Sequence, residues 1–209
     1  MARYTGSVCR LCRREGNKLF LKGERCYTPK CAIERHNYAP GQHGKARARP
    51  SEFRSQLRAK QKVKRHYGVQ ETQFRRYFSE ADRRKGITGE VLLQMLELRL
   101  DNVLFRMGFA RSRREARQIV RHGHVAVAGK TVDIPSYMVA VGQEVAVRPG
   151  SQNNPAIAAA IDLYQKLDMV PRWLEVDWAG KKGIVKALPA REDITMEFEE
   201  QLIVEHYSK

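Results

Sequence analysis

The chain has four cysteines, Cys9, Cys12, Cys26 and Cys31, and they read C-x2-C-x13-C-x4-C within 23 residues. Two thiolates separated by two residues can reach one ion. A second pair closes the tetrahedral shell that zinc prefers in structural sites. The surrounding sequence has few apolar residues, so a metal would supply ordering energy that a core does not. His36 and His43 are nearby substitutes, but four thiolates already fill the shell and leave no open position for chemistry. The expectation is one structural Zn2+ held by the four cysteines. Disulfides and independent surface thiols are the alternatives, and a reducing compartment argues against the first.

A second set of candidates is cationic. Arg113, Arg117 and Arg121 are spaced by four and would form one stripe on a helix. Ser112 can cap that helix, with Glu115 at the capping-box spacing, and Gly123 can end it. Ala116, Ile119 and Val120 recur as its core face. The stripe is expected in solvent beside the core. Glu115 is the one acid between Ala110 and Arg121, and the cap uses it. Salt bridges therefore do not account for these arginines, and phosphate, matched by the planar guanidinium fork, is the expected partner. A merely solvated charged face is the bland alternative. His122 and His124 flank Gly123 and read as turn and RNA-contact residues rather than an acid–base pair. Asp101, near Arg106, reads as a structural hydrogen-bonding group, and Glu90 and Glu97 read as ordinary helix residues.

The charge is strongly uneven. Of a net +16, residues 1–86 hold 23 Lys and Arg against 7 Asp and Glu, whereas residues 87–209 hold 16 of each. A basic half on a chain that is 42% hydrophobic points to a polyanion partner and a real core. No apolar run approaches the ~20 residues of a spanning helix, and the first residues lead into charge rather than a signal core, so a cytosolic protein without membrane contact is expected. No P-loop, GxSxG, HExxH or dinucleotide fingerprint occurs.

The remaining elements follow from periodicity. Tyr38 to Pro50 reads as an extended basic arm, with Lys45, Arg47 and Arg49 suited to phosphate. Helices follow: one carrying Arg54, Arg58, Lys62 and Arg65; one with Phe74, Tyr77, Phe78 and Ala81 inward and Arg75, Arg76, Arg83, Arg84 and Lys85 flanking; and one from about Gly89. The helical aromatics read as core, so recognition of folded RNA by phosphate and shape is expected rather than base stacking. Short strands are expected at 124–127, 142–147, 173–178 and 183–188, and a helix at 154–168.

Several blocks carry a resemblance. Asp101-Asn102-Val103, Gly108-Phe109-Ala110, Ser112-Arg113, Ala116-Arg117-Gln118, His122-Gly123-His124 and Pro135-Ser136-Tyr137 resemble the RNA-binding module of bacterial small-subunit ribosomal protein number four. Tyr38-Ala39-Pro40-Gly41-Gln42-His43-Gly44 and the closing Glu200 to Lys209 resemble the same family outside the module. Relatives usually have Asn where this chain has Ala128, a poorer residue for a turn with two positive φ angles. Only some members of the family carry the cysteines.

The expected class is α+β: a zinc-bound segment with basic arm at 1–45, a mainly helical basic domain at 46–97 completed by about 190–209, and an inserted second domain at 98–189. That second domain contains the α/β RNA-binding module, 99–147, with a small, mostly antiparallel sheet. The resemblance implies a non-enzymatic constituent of the small ribosomal subunit. Such a protein binds folded 16S rRNA, starts assembly of the subunit body and contributes to accuracy. It also implies contacts with neighbouring protein number five and with messenger RNA near its entry channel, a ribosome-bound cytoplasmic location and no homo-oligomer. Arg3, Arg13, Arg14, Arg111, Arg114 and Gln118 complete the RNA-contact candidates. The alternatives are a stand-alone RNA-binding stress or chaperone protein using the same module, or an RNA-modifying factor.

Overall fold

The computed structural model describes residues 4–46, 49, 51–167 and 170–208. The chain divides into two compact units, and the division falls inside one helix, α5 (Thr88–Glu97). One unit runs to Leu92 and takes in the carboxyl-terminal stretch from Met196; the other is Leu93–Thr195.

The first unit contains α1 (Val8–Glu15), α2 (Ala32–Arg35), α3 (Glu52–His66), α4 (Glu71–Arg83) and the last helix, α9 (Glu200–Tyr207). Ser51 starts α3 by accepting a hydrogen bond from the Arg54 amide at 3.2 Å. Gly68, at φ 66°, ends it in the left-handed conformation that glycine tolerates best. Phe74, Phe78 and Ala81, spaced for one helix face, are buried. α9 packs on α3, with Ile203 fully buried and Gln56 donating to Glu205 at 3.2 Å. Its Tyr207 ring lies 4.4 Å from that of Phe78, and its hydroxyl donates to Glu71 at 3.1 Å. Glu71 also accepts from Lys60 at 2.8 Å and Lys64 at 2.9 Å. Burial would raise the Glu71 carboxyl; the two ammonium groups outweigh it and hold it down at about 2.

The second unit contains α6 (Leu100–Arg106), α7 (Arg113–Arg121), β1 (Val125–Val127), β2 (Lys130–Thr131), β3 (Glu144–Val147), α8 (Pro155–Leu167), β4 (Leu174–Asp177) and β5 (Lys182–Val185). Its sheet has the order β2-β1-β3-β5-β4, and every pairing is antiparallel. Val125, Val127, Val145, Val147, Leu174 and Val185 face a core shared with Val103, Leu104, Ala116, Val120, Ile157 and Ile161 of the helices. The sheet thus continues beyond the module, since β5 pairs with β3. No helix among the described residues is long and apolar enough to cross a membrane.

The β1–β2 turn forms with two positive φ angles, 47° at Ala128 and 78° at Gly129. The tight turn therefore survives without the usual Asn, at the strain cost of an L-residue with a Cβ in that region. Ala128 is exposed, so Ala128→Asn should stabilise the second unit by about 0.5 to 1 kcal/mol. Urea unfolding checks this; a midpoint that stays put or falls would contradict the strain.

Candidate nucleic-acid interface

α6 and α7 are held by caps and by a buried polar network. The connector Pro135–Tyr137 supplies carbonyls to the start of α6: the Leu100 amide donates to Tyr137 O at 2.8 Å, and the Asp101 amide to Pro135 O at 3.1 Å. Gly108, at φ 83°, closes α6, and a Cβ there would stand 2.7 Å from the Tyr164 ring. The Phe109 amide returns to Leu104 O and the Gly108 amide to Phe105 O, a Schellman closure. α7 begins at Ser112, whose hydroxyl accepts from the Glu115 amide at 3.3 Å. Glu115 reaches one residue further than a capping box, taking the Arg111 amide at 2.7 Å and the Arg111 guanidinium at 2.8 Å. At the other end Gly123 and His124 return amides to Val120 O and Ile119 O, again a Schellman closure.

Between these caps lie two buried carboxylates. Glu97, 1% exposed, accepts Arg106 Nε at 3.0 Å and its terminal nitrogen at 2.7 Å, and also Asn102 Nδ2 at 2.6 Å. Asp101 accepts Arg99 at 3.0 and 2.7 Å and Arg117 at 3.1 Å. Asn102 joins the sets, because its Oδ1 accepts Arg113 Nε at 2.7 Å. Arg113 also stacks over Phe105, 4.6 Å from the ring centre.

This overturns the reading of Arg113, Arg117 and Arg121 as an unpaired solvent stripe. Arg113 is buried on the same face as Ala116 and Val120, three and seven residues on, and that spacing was its signal. Arg117 is tied to Asp101, and exposed Arg121 meets Asp133 at 3.5 Å. The outward line is instead Arg111, Arg114, Gln118 and Arg121, continued by exposed His122. His124 Nδ1 lies 2.8 Å from Ser151 Oγ. Glu97 is not an ordinary helix residue, and Asp101 pairs with Arg99 and Arg117 rather than Arg106. Sequence reasoning also missed Arg148, whose guanidinium donates to Gly123 O at 3.0 Å beside the end of α7. Its distance in the chain leaves no local signal.

In the first unit the candidates separate. Arg58 and Arg65 both pair with the buried carboxylate of Glu15. Burial raises that carboxyl against the pull of Arg58 and Arg65. Lys62 Nζ stands 3.1 Å from the Asn17 amide. Arg13 donates to Tyr38 O at 3.0 Å and, with Lys45, faces the Tyr38 ring. Arg14, Arg49 and Arg54 are exposed. The segment from Gly41 to Lys45 is a tight turn rather than extended, and a Cβ at Gly44 would stand 1.9 Å from Ala39 O. Arg3 and Arg47 lie outside the described residues.

The four cysteines are free thiols that line one cavity of about 20 Å³ with Val8, Leu21 and Ala32. Burial pushes the Cys12 thiol up to about 11, and the neighbouring cysteines add to it; burial raises Cys26 as well. Among the described residues no three His, Cys, Asp or Glu side chains are grouped as a metal site. By donor type, four thiols lining one small cavity suit a thiophilic ion.

Residues 3–97 match the family described as "Ribosomal protein S4/S9 N-terminal domain", and residues 98–145 match the "S4 domain". Proteins called "Small ribosomal subunit protein uS4" align over the whole of both chains: 58% identical in Pelobacter propionicus, 60% in Acetivibrio thermocellus and 57% in Desulfitobacterium hafniense. The chain belongs to the uS4 family. Its S4 domain is the stretch whose α6 and α7 are joined by the Glu97–Asn102–Arg113 link.

Breaking a buried pair on one side leaves an uncompensated charge. Glu97→Gln should therefore cost the second unit about 3 kcal/mol or more. Chemical denaturation with a probe in that unit, such as Trp173 or Trp178 fluorescence, checks it. A loss below about 1 kcal/mol would mean that the pairing is dispensable.

Proposed function

We infer that this chain is a structural constituent of the small ribosomal subunit and binds that subunit's rRNA directly, doing no chemistry on it. The observation that carries this is the end-to-end match to uS4 relatives at 57–60% identity. The physical properties agree with it. The basic excess lies in the first unit's part of the chain, and the S4 domain exposes Arg111 just before α7 and Arg121 and His122 at its far end. Within the buried network Arg99, Arg106 and Arg117 meet the two carboxylates and Arg113 meets Asn102, which holds α7 and its outward side chains in place. The protein reads folded RNA through phosphate and shape. It is ribosome-bound in the cytoplasm, nucleates assembly of the subunit body, contributes to accuracy, and contacts protein number five and messenger RNA near its entry channel.

The decisive experiment titrates the chain against protein-free small-subunit rRNA at low and high salt, with excess transfer RNA as competitor. Binding that survives the competitor is expected. Binding abolished equally by transfer RNA and by salt would mean non-specific adhesion and would favour a stand-alone RNA chaperone using the same module.

The same reading gives the first segment one structural zinc held by Cys9, Cys12, Cys26 and Cys31. Four thiols around a space that admits about one water-sized body support it. Bound there, zinc would hold the thiols as thiolates and tie α1 to the turn before α2. Metal analysis of protein purified without added metal should give about one zinc per chain, and a chelator should loosen this segment. A metal-free chain whose segment keeps its protection from proteolysis would refute the zinc.

A further inference from the structure

The outer face of α4 has no part in the interface described above. Phe74, Phe78 and Ala81 turn one side of this helix into the core. On the other side Thr72, Arg75, Arg76, Ser79, Glu80 and Arg83 follow one another at intervals of three, one, three, one and three residues, the spacing of a single helix face. They line an open groove of about 450 Å³. Arg75, Arg76 and Arg83 are all exposed, and among the described residues none of them makes a hydrogen bond or ion pair. The one acid in the groove, Glu80, is taken by Arg84 at 3.1 and 3.2 Å.

That distribution contrasts with nine other cations of the protein. Arg58, Lys60, Lys64, Arg65, Arg99, Arg106, Arg111, Arg117 and Arg121 all meet carboxylates. Three guanidiniums that repel one another and lack internal counter-charge on one helix face lower the stability of the isolated chain. An external polyanion would relieve them. Two observations favour successive phosphates over a single small anion. Arg76 and Arg83 are seven residues apart, about 10 Å along the helix axis, too far to close on one phosphate. The hydroxyl of Ser79 lies between Arg76 and Arg83, that of Thr72 one turn before Arg76, and both can donate to phosphate oxygens. Side chains of this kind, ending in hydroxyl or charged groups and including no large hydrophobic residue, suit a phosphodiester backbone better than the side chains of a protein partner.

We propose that the outer face of α4 is a separate RNA-binding surface, on which Arg75, Arg76 and Arg83, with Thr72 before them and Ser79 between Arg76 and Arg83, take successive phosphates along one strand of folded RNA. The proposal rests on the rRNA-binding reading and adds a surface to it. Binding there positions the protein without reading sequence.

The test uses the full chain and two triple variants: Arg75→Ala/Arg76→Ala/Arg83→Ala, and a charge-matched control, Lys130→Ala/Lys166→Ala/Arg172→Ala, whose side chains are exposed elsewhere. Alanine keeps helix propensity, and circular dichroism confirms that each variant folds. Each protein is titrated against protein-free small-subunit rRNA over a salt series, with transfer RNA as competitor. The α4 variant should lose at least about tenfold in affinity, and its log–log salt slope should fall by about 2 to 3, roughly one for each phosphate that the variant no longer neutralises. The control should change neither by comparable amounts. Equal losses in the two variants would reduce the effect to net charge and overturn the proposal. Unchanged affinity and slope in the α4 variant, with wild type still binding specifically, would overturn it and leave the rRNA reading intact; retention of wild type alone on polyglutamate would then identify an acidic protein segment as the occupant. Wild-type binding no stronger to rRNA than to transfer RNA would remove both.

Discussion

Two carboxylates taken out of water hold the second unit's helices in register. Glu97 and Asp101 would each be costly to bury alone, and they are tolerated because guanidiniums meet them with two nitrogens at once, Arg106 on Glu97 and Arg99 on Asp101. The paired forks fix direction as well as charge. Asn102 then spends its amide donor on Glu97 and its acceptor on Arg113, so the end of α5, α6 and α7 are joined through one neutral side chain. An apolar core alone would allow α7 to slide or roll; these directional bonds do not. The caps on both helices and the packing of Gly108 against Tyr164 complete the same constraint.

This constraint divides the arginines of the protein into two populations. Those on inner faces meet carboxylates or, for Arg113, the Asn102 amide oxygen, and they set where the outer ones stand. Arg113 and Arg117 belong to the first population, and they hold α7 in place. Arg111, Arg121 and His122 project from the helix that they position. In the first unit the division recurs: Glu15 takes Arg58 and Arg65, Glu71 takes Lys60 and Lys64, and the outer face of α4 keeps its charge for something else. Burial and buried pairing decide which cations remain available to a polyanion; Arg111 and Arg121, though they meet Glu115 and Asp133, stay exposed at the surface.

Much of this was legible in the sequence where the signal is local. The α4 face, the Ser112 cap, the glycine endings and the alternation of β3 follow from spacing alone. The blocks around Asp101 and Tyr38 fixed the family, and the structure gives each a physical use: carbonyls from Pro135 to Tyr137 that cap α6, and a Gly44 whose missing Cβ lets the chain pass Ala39. What was not legible depends on distance in the chain. Counting acids between Ala110 and Arg121 could not find Asp101 beneath Arg117, sixteen residues away. The partnership of Glu15 with Arg58 and Arg65 spans 43 and 50 residues. The pairing of β5 with β3 crosses the whole of α8. Arg113 is the instructive failure, because its place three residues before Ala116 marked it for the core and its charge argued otherwise.

Whether the buried network fixes α7 for RNA is tested most directly by amide hydrogen exchange on the Asn102→Ala chain. This change removes the link without deleting either carboxylate. Amides of α7 should lose protection selectively, while those of α8 keep theirs, and rRNA affinity should fall with the α7 loss. Protection in α7 that is unchanged, or lost evenly across the second unit, would contradict the network's role.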